Sequence, residues 1–589
     1  MTYMNKIITS LLVLTLISSM SLQARKVTGS VKCGDAKLSG VMVTDGEHFT
    51  QTGRNGKFSF DISDDADFVY IVTPAGYVAD WTTGVPSFYK PASGADRFDF
   101  CLQRMAGGND YDIVAVSDPQ FANQEQVEIF AGRPMEDMCR TIAGLSPVSV
   151  GLALGDICWD SFPILEKWGS EIVKAGIPFY PVAGNHDHDH YSQGDEAAIL
   201  RYRSILGPEN YAFLIGKDAV IVLDNIIYQT EGKYDCGYTE RQLDWVRKLV
   251  SLLPHDADLY VAQHSPLVGW DGRRIHNAGA LLDILRGRKV SFLSGHTHEN
   301  NVYVYEKDIM EHNVASICGA WWDTQLCVDG TPGGYKVFTK SGDRLSWYYK
   351  SWAHGKDYQM KVYAPGEVKS YANGVVVNVW DQDPGWKVEW YEDGVPMGKM
   401  EQAAIASPAY TEEISQVYAA GDIPGWKQAS RSRNNFTALP SRDAKSVTVV
   451  AENRFGRKYV STVHVDRPEV RIPVRSVEDI FNAMDMGANT IVFEVIMGKG
   501  GVAAVVEGPL LAEAVDAAEA YAAEKGCSPV RFHFNIRRGA ESYDKCADAV
   551  MGELIYRYIA DRVTVSTDDR FVRNFIAEKY PEFRIVSQD

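Results

Sequence analysis

The feature that most constrains the fold is a regular alternation of short apolar runs and helical patterns between about residues 110 and 350. The apolar runs predict strands at Asp112–Ser117, Val148–Leu154, Pro178–Ala183, Ala219–Leu223, Leu259–Ala262 and Val290–Ser294. Helical spacing predicts helices at Gln124–Ile142, Ile164–Ala175, Glu240–Leu253 and Ala278–Leu285. Strands that alternate with helices build a layered α/β domain, whose binding sites lie beyond the carboxyl ends of the strands.

The length of 589 residues is too great for one hydrophobic core, because cores stop growing near ~250–300 residues. Short strands with regular turns on both sides of the α/β region are typical of small β-sandwiches. We expect a signal peptide at 1–24, a β-sandwich module at 25–105, the central α/β domain at 106–350, a β-rich module at 351–470 and an α/β segment at 471–589.

The N-terminus has the pattern of an export signal. Lys6 supplies the positive charge, Ile7–Ile17 forms the apolar core, and a cleavage site follows at Ala24. The alternative is a membrane anchor, but the apolar core is short and interrupted by Ser and Thr, which favours cleavage. We therefore expect an exported protein, periplasmic or secreted, that keeps no transmembrane anchor.

The chain is acidic, with 59 Lys and Arg against 77 Asp and Glu and a formal charge of −18. This balance argues against a nucleic-acid polymer as partner, because phosphate backbones need a basic face. It leaves room for a small phosphorylated substrate whose charge bound cations neutralise. Of nine cysteines, Cys33–Cys101 and Cys318–Cys327 are candidate disulfides, and the oligomeric state stays open.

Five polar clusters follow the predicted strands, and together they suit a pair of divalent cations. Aspartate, asparagine and histidine are ligands for Zn, Mn or Fe, and two such ions need about seven protein ligands. The clusters offer Asp118, Gln120, Asp156, Asn185, His264, His296 and His298. Asp156 is the natural candidate to bridge both ions, and Gly155, Gly184 and Gly295 let the backbone turn beside a crowded site.

The motifs GDxxxD, GNHD and GHTH, with a separate histidine between the last two, resemble the calcineurin-like metallophosphoesterases over residues 110–345. The resemblance implies a β-sandwich flanked by helices and hydrolysis of phosphomonoesters or phosphodiesters by a hydroxide activated between two metals. It implies one ion on Asp118, Asp156 and His298, and a second ion on Asp156, Asn185, His264 and His296.

The same resemblance assigns catalytic roles to two further residues. His186 would stabilise the transition state or protonate the leaving group, and Asp187 would orient it. Gln120 departs from the family, which usually has histidine there. An amide oxygen is a weaker donor than an imidazole, so Gln120 either binds the first ion weakly or only contacts its water.

Substrate contacts are expected from Asn185, Trp159, His188 and Trp322. The alternatives are a solvated loop for His188 and packing against the next β domain for Trp322. Arg273 and Arg274 are either a phosphate clamp or part of a surface loop. A catalytically inactive binding protein is the first rival function.

The flanking segments show two weaker resemblances. Residues 25–105 resemble carboxypeptidase regulatory-like modules, to which we assign no catalysis. Residues 475–589 resemble a degenerate glycerophosphodiester phosphodiesterase, in which only Glu494 survives, while Ile496 and Arg537 stand where acids are expected. We interpret this segment as non-catalytic, and glycerophosphodiester hydrolysis there is the second rival function.

Overall fold

The computed structural model describes residues 25–269, 272–419, 421–441, 444–465, 471–485, 488, 490–497, 503–505, 510–524, 530–537, 547–552 and 562–586. The predicted signal peptide at 1–24 lies outside these residues. Two compact units divide the chain. The first comprises residues 25–359, 380–386 and 409–434, and the second comprises residues 360–379, 387–408 and 435 onward.

The first unit begins with a small sandwich of two four-stranded sheets. One sheet contains Arg25–Cys33, Ala36–Lys37, Lys57–Ile62 and Arg97–Cys101, and the other contains Met42–Thr44, Phe49–Gln51, Phe68–Ile71 and Tyr89–Pro91. Tyr77–Val78 pairs separately with Gln103–Arg104. In the first strand Val27 and Val31 are buried and their neighbours are not, as expected for a half-buried strand.

Both candidate disulfides were wrong, because Cys33, Cys101, Cys318 and Cys327 are free thiols. The register explains the first pair: Cys101 lies opposite Lys32, so the side chain of Cys33 is on the other face of the sheet.

Two sheets form the centre of this unit. The first has the order Phe179–Pro181, Ser149–Ala153, Tyr111–Val116, Gly334–Ser341 and Arg344–Ser351. Its first three strands are parallel and its last two run antiparallel to their neighbours. Every residue of Tyr111–Val116 is buried, as expected for a strand covered on both faces.

The second sheet has the order Tyr211–Ile215, Asp218–Val222, Leu259–Ala262, Val290–Ser294, Ile309–Asn313 and Asn301–Glu306. Its four inner strands are parallel, so their carboxyl ends lie at one edge. A separate hairpin joins Ile226–Thr230 to Lys233–Cys236.

Helices cover the two sheets. They span Gln124–Ala131, Arg133–Ile142, Phe162–Leu165, Trp168–Ile172, Asp195–Leu206, Glu240–Leu252 and Ala278–Ile284, with 3₁₀ turns at Val173–Ala175 and Asn185–Asp187. Helix Pro408–Val417 and the turn Gly425–Lys427 follow later in the chain. The predicted fold class, a multidomain chain around a layered α/β domain with β modules and a terminal α/β segment, is confirmed.

The second unit contains strands of two four-stranded sheets and a parallel sheet. The four-stranded sheets are Met360–Tyr363, Val375–Val379, Arg431–Ala438 and Glu401–Ala406, and Val395–Lys399, Lys387–Glu392, Ser446–Glu452 and Lys458–His464. A 3₁₀ turn spans Lys369–Tyr371. The parallel sheet runs Arg471–Pro473, Thr490–Met497, Arg531–Ile536, Val563–Ser566 and Arg584–Ile585, with Ala503–Val505 antiparallel to the second strand.

Helices Val477–Asp485, Leu511–Glu524 and Arg570–Lys579 accompany this parallel sheet. Among the described residues of the whole chain, we find no helix long and apolar enough to cross a bilayer.

Candidate metal centre

The polar clusters predicted from the sequence meet at the carboxyl ends of the central strands. Asp118 and Asp156 follow two parallel strands of the first sheet, and Asn185 follows the third. His264 and His296 follow two adjacent parallel strands of the second sheet. Carboxyl ends of parallel strands share one edge, so residues far apart in the chain come together there.

The loops that carry these side chains are strained. Ten non-glycine residues of the described chain have positive φ, and all but Asn277 and Asp393 lie in loops at this edge. They are Asp118, Gln120, Asp156, Asp160, His296, His298, Trp321 and Trp322. Such conformations cost of order 1–3 kcal/mol each and cluster at functional sites.

Three glycines were expected to let the backbone turn tightly, and of these only Gly155 has positive φ (+89°). A Cβ on Gly295 would lie 1.8 Å from Ser117 Oγ and 2.6 Å from Asp118 Oδ2. A Cβ on Gly184 would lie 2.3 Å from Asp156 Oδ1. Close approach, more than a tight turn, therefore requires Gly184 and Gly295.

One group of candidate ligands surrounds the ring of His264. Its Nε2 lies 3.3 Å from Asp156 Oδ1, 3.2 Å from Asn185 Oδ1 and 3.1 Å from His296 Nδ1. Its Nδ1 is 2.8 Å from the Leu154 carbonyl, which fixes the ring. Ligand atoms of Asp156, His264 and His296 lie close enough together to hold one cation.

Electrostatics within this group reflect the crowded charges. Burial opposes protonation of His264, but Asp156 raises its pKa to about 9. Burial and the neighbouring His264 lower the pKa of His296 to about 4. The pKa of Asp156 is held below its ordinary value, because the histidines outweigh its burial.

The second group contains buried polar atoms without hydrogen-bond partners. Asp118 Oδ1, Gln120 Oε1 and His298 Nε2 are all in this state. The first and last lie 3.5 Å apart, while His298 Nδ1 is 3.3 Å from the Gly319 carbonyl. Buried polar atoms are normally satisfied, so Asp118 Oδ1 and His298 Nε2 fit a cation as their missing partner.

Gln120 lies against Asp156, and its role as a ligand stays a prediction. Its Nε2 donates to Asp156 Oδ2 at 2.8 Å, which turns its amide oxygen away from that carboxylate and leaves it buried. An amide oxygen is a suitable oxygen donor for a divalent ion.

His186 lies at the edge of the centre, with its ring stacked on Trp159 and held at one nitrogen by Asp160. Its Nδ1 is 2.9 Å from Asp160 Oδ1, and Trp159 stacks on the ring at 4.1 Å. Burial opposes its charged form, but Asp156 and Asp160 raise its pKa above the ordinary value. His190 approaches the same Asp160 oxygen at 3.1 Å.

The expectation that Asp187 orients His186 is corrected, because Asp160 provides the carboxylate at that ring. Asp187 is buried and accepts backbone N–H bonds from Ile157, Cys158 and Gly184 at 3.0–3.2 Å. Burial raises its pKa to about 6. Its role is to fasten the loop of Asp156 to the loop of Asn185.

The expected substrate contact of His188 was also wrong, and the solvated-loop alternative fails with it. The residue is completely buried. Its Nδ1 is 2.8 Å from the Gly184 carbonyl and its Nε2 is 3.1 Å from Asp224 Oδ2. Both ring nitrogens are thus occupied inside the protein.

Trp322 does not line the cleft, whereas its neighbour Trp321 does. Trp322 donates from Nε1 to the Pro119 carbonyl at 2.8 Å and stacks on Phe121. Trp321 stacks on His298 with centroids 4.2 Å apart. The expected substrate contact of Trp322 is replaced by packing beneath the loop that carries Asp118.

The cleft above the candidate ligands has a volume of about 720 Å³, and Trp159, Asn185 and His186 line it. Arg273 and Arg274 line a different cavity, so they do not clamp a phosphate here. Asn225 was not predicted as part of the site, although its side chain accepts from the His264 and Ser265 backbone N–H groups. Its position just past a predicted strand was the available signal.

Three family comparisons match this chain. Residues 111–300 match "Calcineurin-like phosphoesterase", residues 25–105 match "N terminal of Calcineurin-like phosphoesterase", and residues 311–459 match "C terminal of Calcineurin-like phosphoesterase". The fold and the polar centre therefore define a metal-dependent phosphoesterase, which is a phosphoric ester hydrolase. The chain belongs to the calcineurin-like phosphoesterases.

Comparison with curated proteins finds no match. Among solved structures, a dimetal phosphatase from Danio rerio is 16% identical, with TM-score 0.32, and the match covers 41% of this chain and 96% of that one. A 5'-nucleotidase from Candida albicans is 12% identical, with TM-score 0.27 and coverages of 42% and 52%.

A phosphodiesterase from Oleispira antarctica in complex with sn-glycerol-3-phosphate is 12% identical, with TM-score 0.17 and coverages of 20% and 64%. Likenesses this low carry no inference about the site. The resemblance of the C-terminal segment to glycerophosphodiester phosphodiesterases stays a prediction.

Proposed function

We propose that this protein is an exported two-metal phosphoesterase that hydrolyses small phosphomonoesters or phosphodiesters. The observation that carries the proposal is the position of two buried atoms without hydrogen bonds, Asp118 Oδ1 and His298 Nε2, which lie 3.5 Å apart beside the Asp156, His264 and His296 group. Burying such polar atoms away from water costs free energy unless a cation completes their coordination.

In this proposal Asp118, Gln120, Asp156 and His298 would hold one ion, and Asp156, Asn185, His264 and His296 would hold the other. The donor set suits Zn, Mn or Fe. Two such cations, when bound, polarise phosphoryl oxygens and lower the pKa of water enough to supply a nucleophile at neutral pH.

The chain's own groups complete the reaction. His186, whose raised pKa favours the protonated form, donates a proton to the leaving oxygen. Asp160 fixes the ring tautomer and orientation from Nδ1. Trp159, stacked on the same ring, limits access of water to it.

The proposals that the protein is exported and that its substrate is small are supported by the sequence. The charge pattern of residues 1–24 supports export, and the formal charge of −18 supports small phosphorylated substrates over nucleic-acid polymers. The domain boundaries predicted at 105, 350 and 470 likewise stay predictions.

The test is turnover of p-nitrophenyl phosphate and bis(p-nitrophenyl) phosphate by protein reconstituted with Zn, Mn or Fe. Asp156→Asn should lower kcat/KM by more than about 100-fold and reduce bound metal measured by elemental analysis. Asp343→Asn, which removes an exposed carboxylate paired with Lys217, is the matched control and should change neither quantity. Full activity of Asp156→Asn, or a chain that binds none of the three metals, would refute the proposal.

A further inference from the structure

The cleft above the candidate ligands has aromatic walls. Trp159, Tyr234, Trp321 and Trp426 all line it. Two of these rings are fixed against histidines of the centre, since Trp159 stacks on His186 at 4.1 Å and Trp321 on His298 at 4.2 Å. The two indoles lie 6.4 Å apart and nearly perpendicular. A phosphoryl group at the centre would therefore have rings directly beside it.

Trp426 stands at the mouth of this cleft and is 62% exposed. It belongs to the 3₁₀ turn Gly425–Lys427, which Tyr410 anchors by donating to the Lys427 carbonyl at 2.7 Å. The turn is therefore held in place while the indole stays in water. A large ring exposed on a fixed turn at a cleft mouth is suited to cover a bound ligand.

The charge of the cleft, like its shape, limits which phosphate esters it can bind. Among the described residues that line it there is no lysine or arginine, and the rim carries the acidic Glu299. The nearby Lys427 is not among the lining residues: it forms an ion pair with Asp323 and lies over the Trp321 ring at 5.5 Å. A second phosphate next to the first would meet no arginine or lysine among the described lining residues, although these are the usual partners of phosphate.

We propose that this cleft selects esters with a single phosphoryl group and a planar aromatic ring on the alcohol, and that it rejects a second phosphate. The inference rests on the proposed function and names its substrate class. In the reaction, the oxygen of water bonds to phosphorus, the bond from phosphorus to the alcohol oxygen breaks, and that oxygen takes a proton. The ring stays on Trp426 and the other aromatic walls throughout.

The test compares three non-hydrolysable probes on the metal-loaded full chain. Dissociation constants for phenylphosphonate, methylphosphonate and methylenediphosphonate are measured by calorimetry and by quenching of tryptophan fluorescence. Phenylphosphonate should bind roughly ten-fold tighter than methylphosphonate, because stacking on an aromatic side chain contributes that much. Methylenediphosphonate should gain nothing from its second phosphonate.

Trp426→Ala should remove most of the preference for phenylphosphonate and leave methylphosphonate binding unchanged, and Trp426→Phe should restore part of the preference. Phe571→Ala removes an equally exposed aromatic ring, 61% exposed, in the terminal α/β segment and should leave every constant unchanged. Circular dichroism of each variant checks its folding. Equal constants for the two monophosphonates, or a preference that survives in Trp426→Ala, would overturn the inference.

A further variant tests the effect of charge in the cleft. Gln428→Lys places an amine on the lining of the cleft and should tighten methylenediphosphonate at least several-fold relative to phenylphosphonate. No gain in this variant would contradict the claim that missing cations exclude the second phosphate. If simple esters are hydrolysed without any preference for a ring, this inference alone fails. If no phosphonate binds and no ester is hydrolysed, the proposed function fails with it.

Discussion

Among single residues, Asp160 has the largest effect on the expected mechanism, because it replaces Asp187 as the carboxylate that orients His186. Its Oδ1 lies 2.9 Å from Nδ1 of that ring. Asp160→Asn should weaken proton donation by His186 without removing any proposed metal ligand. We expect kcat for an alkyl phosphate to fall by about ten-fold or more, since a poor leaving group needs the proton. Turnover of p-nitrophenyl phosphate, whose leaving group departs as a stable anion, should change by less than about two-fold.

Steady-state kinetics on both substrates measure this difference. Asp189→Asn, which removes another carboxylate from the same region, should leave the ratio of the two rates unchanged. Equal loss on the alkyl and nitrophenyl esters would show that Asp160 supports the centre as a whole and not the proton donor.

Gln120 invites a prediction about metal affinity. Gln120→His replaces an amide oxygen with an imidazole nitrogen, a stronger ligand for Zn, so we expect tighter binding of the first ion by about ten-fold or more. Titrating both forms with Zn and Mn measures the change, and Mn should gain less because it prefers oxygen donors. Equal affinities in the two forms would exclude Gln120 as a direct ligand.

Residue types and spacing were enough to predict which side chains meet at the centre, because strand ends fix their position. They were not enough to predict where each ring points. His188 turns inward to Asp224, and Trp322 packs under Pro119 while Trp321 faces the cleft. Trp321 and Trp322 have the same side chain, so the sequence does not indicate which of the two rings faces the cleft. The direction of each ring depends on backbone angles that distant strands set.

At the scale of elements, the pair of His188 and Asp224 joins a loop of the first sheet to a loop of the second. Burial opposes the charge on His188, but Asp224 raises its pKa to about 9, above the ~6.5 of an unfolded histidine. A raised folded pKa means that the stabilisation is complete below pH ~6.5 and is lost as the pH rises toward 9. The free energy of unfolding should therefore fall over this interval, by up to ~3 kcal/mol for a shift of this size.

Thermal unfolding at several pH values between 6 and 9.5 measures this loss. His188→Gln should unfold at a lower temperature than the parent chain at pH 6 and should show a flatter dependence on pH. A parent curve as flat as that of the variant would contradict the assignment of a charged pair.

Helices and strands with a clear apolar periodicity agreed with prediction. A predicted helix that contains a proline did not. The predicted helix Gln124–Ile142 is two helices, which end and begin around Gly132. Pro134 is the cause, since proline lacks the N–H that a continuous helix needs and clashes with the preceding turn. The strands Gly334–Ser341 and Arg344–Ser351 were not predicted. They pair with each other as a hairpin, and only the first of them pairs with Tyr111–Val116, which is distant in sequence.

For the full chain, the terminal α/β segment is the candidate for a second active site. Its surviving acid, Glu494, accepts from Asn535 Nδ2 at 2.7 Å and forms an ion pair with Arg537 at 2.5 Å. The guanidinium of Arg537 thus neutralises the carboxylate of Glu494. A carboxylate neutralised in this way is a poor cation ligand, which favours a non-catalytic segment.

Glu494→Ala should accordingly leave hydrolysis of every phosphoester within about two-fold of the parent chain, glycerophosphodiesters included, whereas Asp156→Asn should abolish them together. Glu478→Ala, an exposed acid on the helix Val477–Asp485, is the matched control for charge loss in the same segment. A panel of nitrophenyl esters and glycerophosphodiesters, assayed with each metal, separates the two sites. Selective loss of glycerophosphodiester hydrolysis in Glu494→Ala would place a second active centre in the parallel sheet, because no group of the first centre is altered by that change.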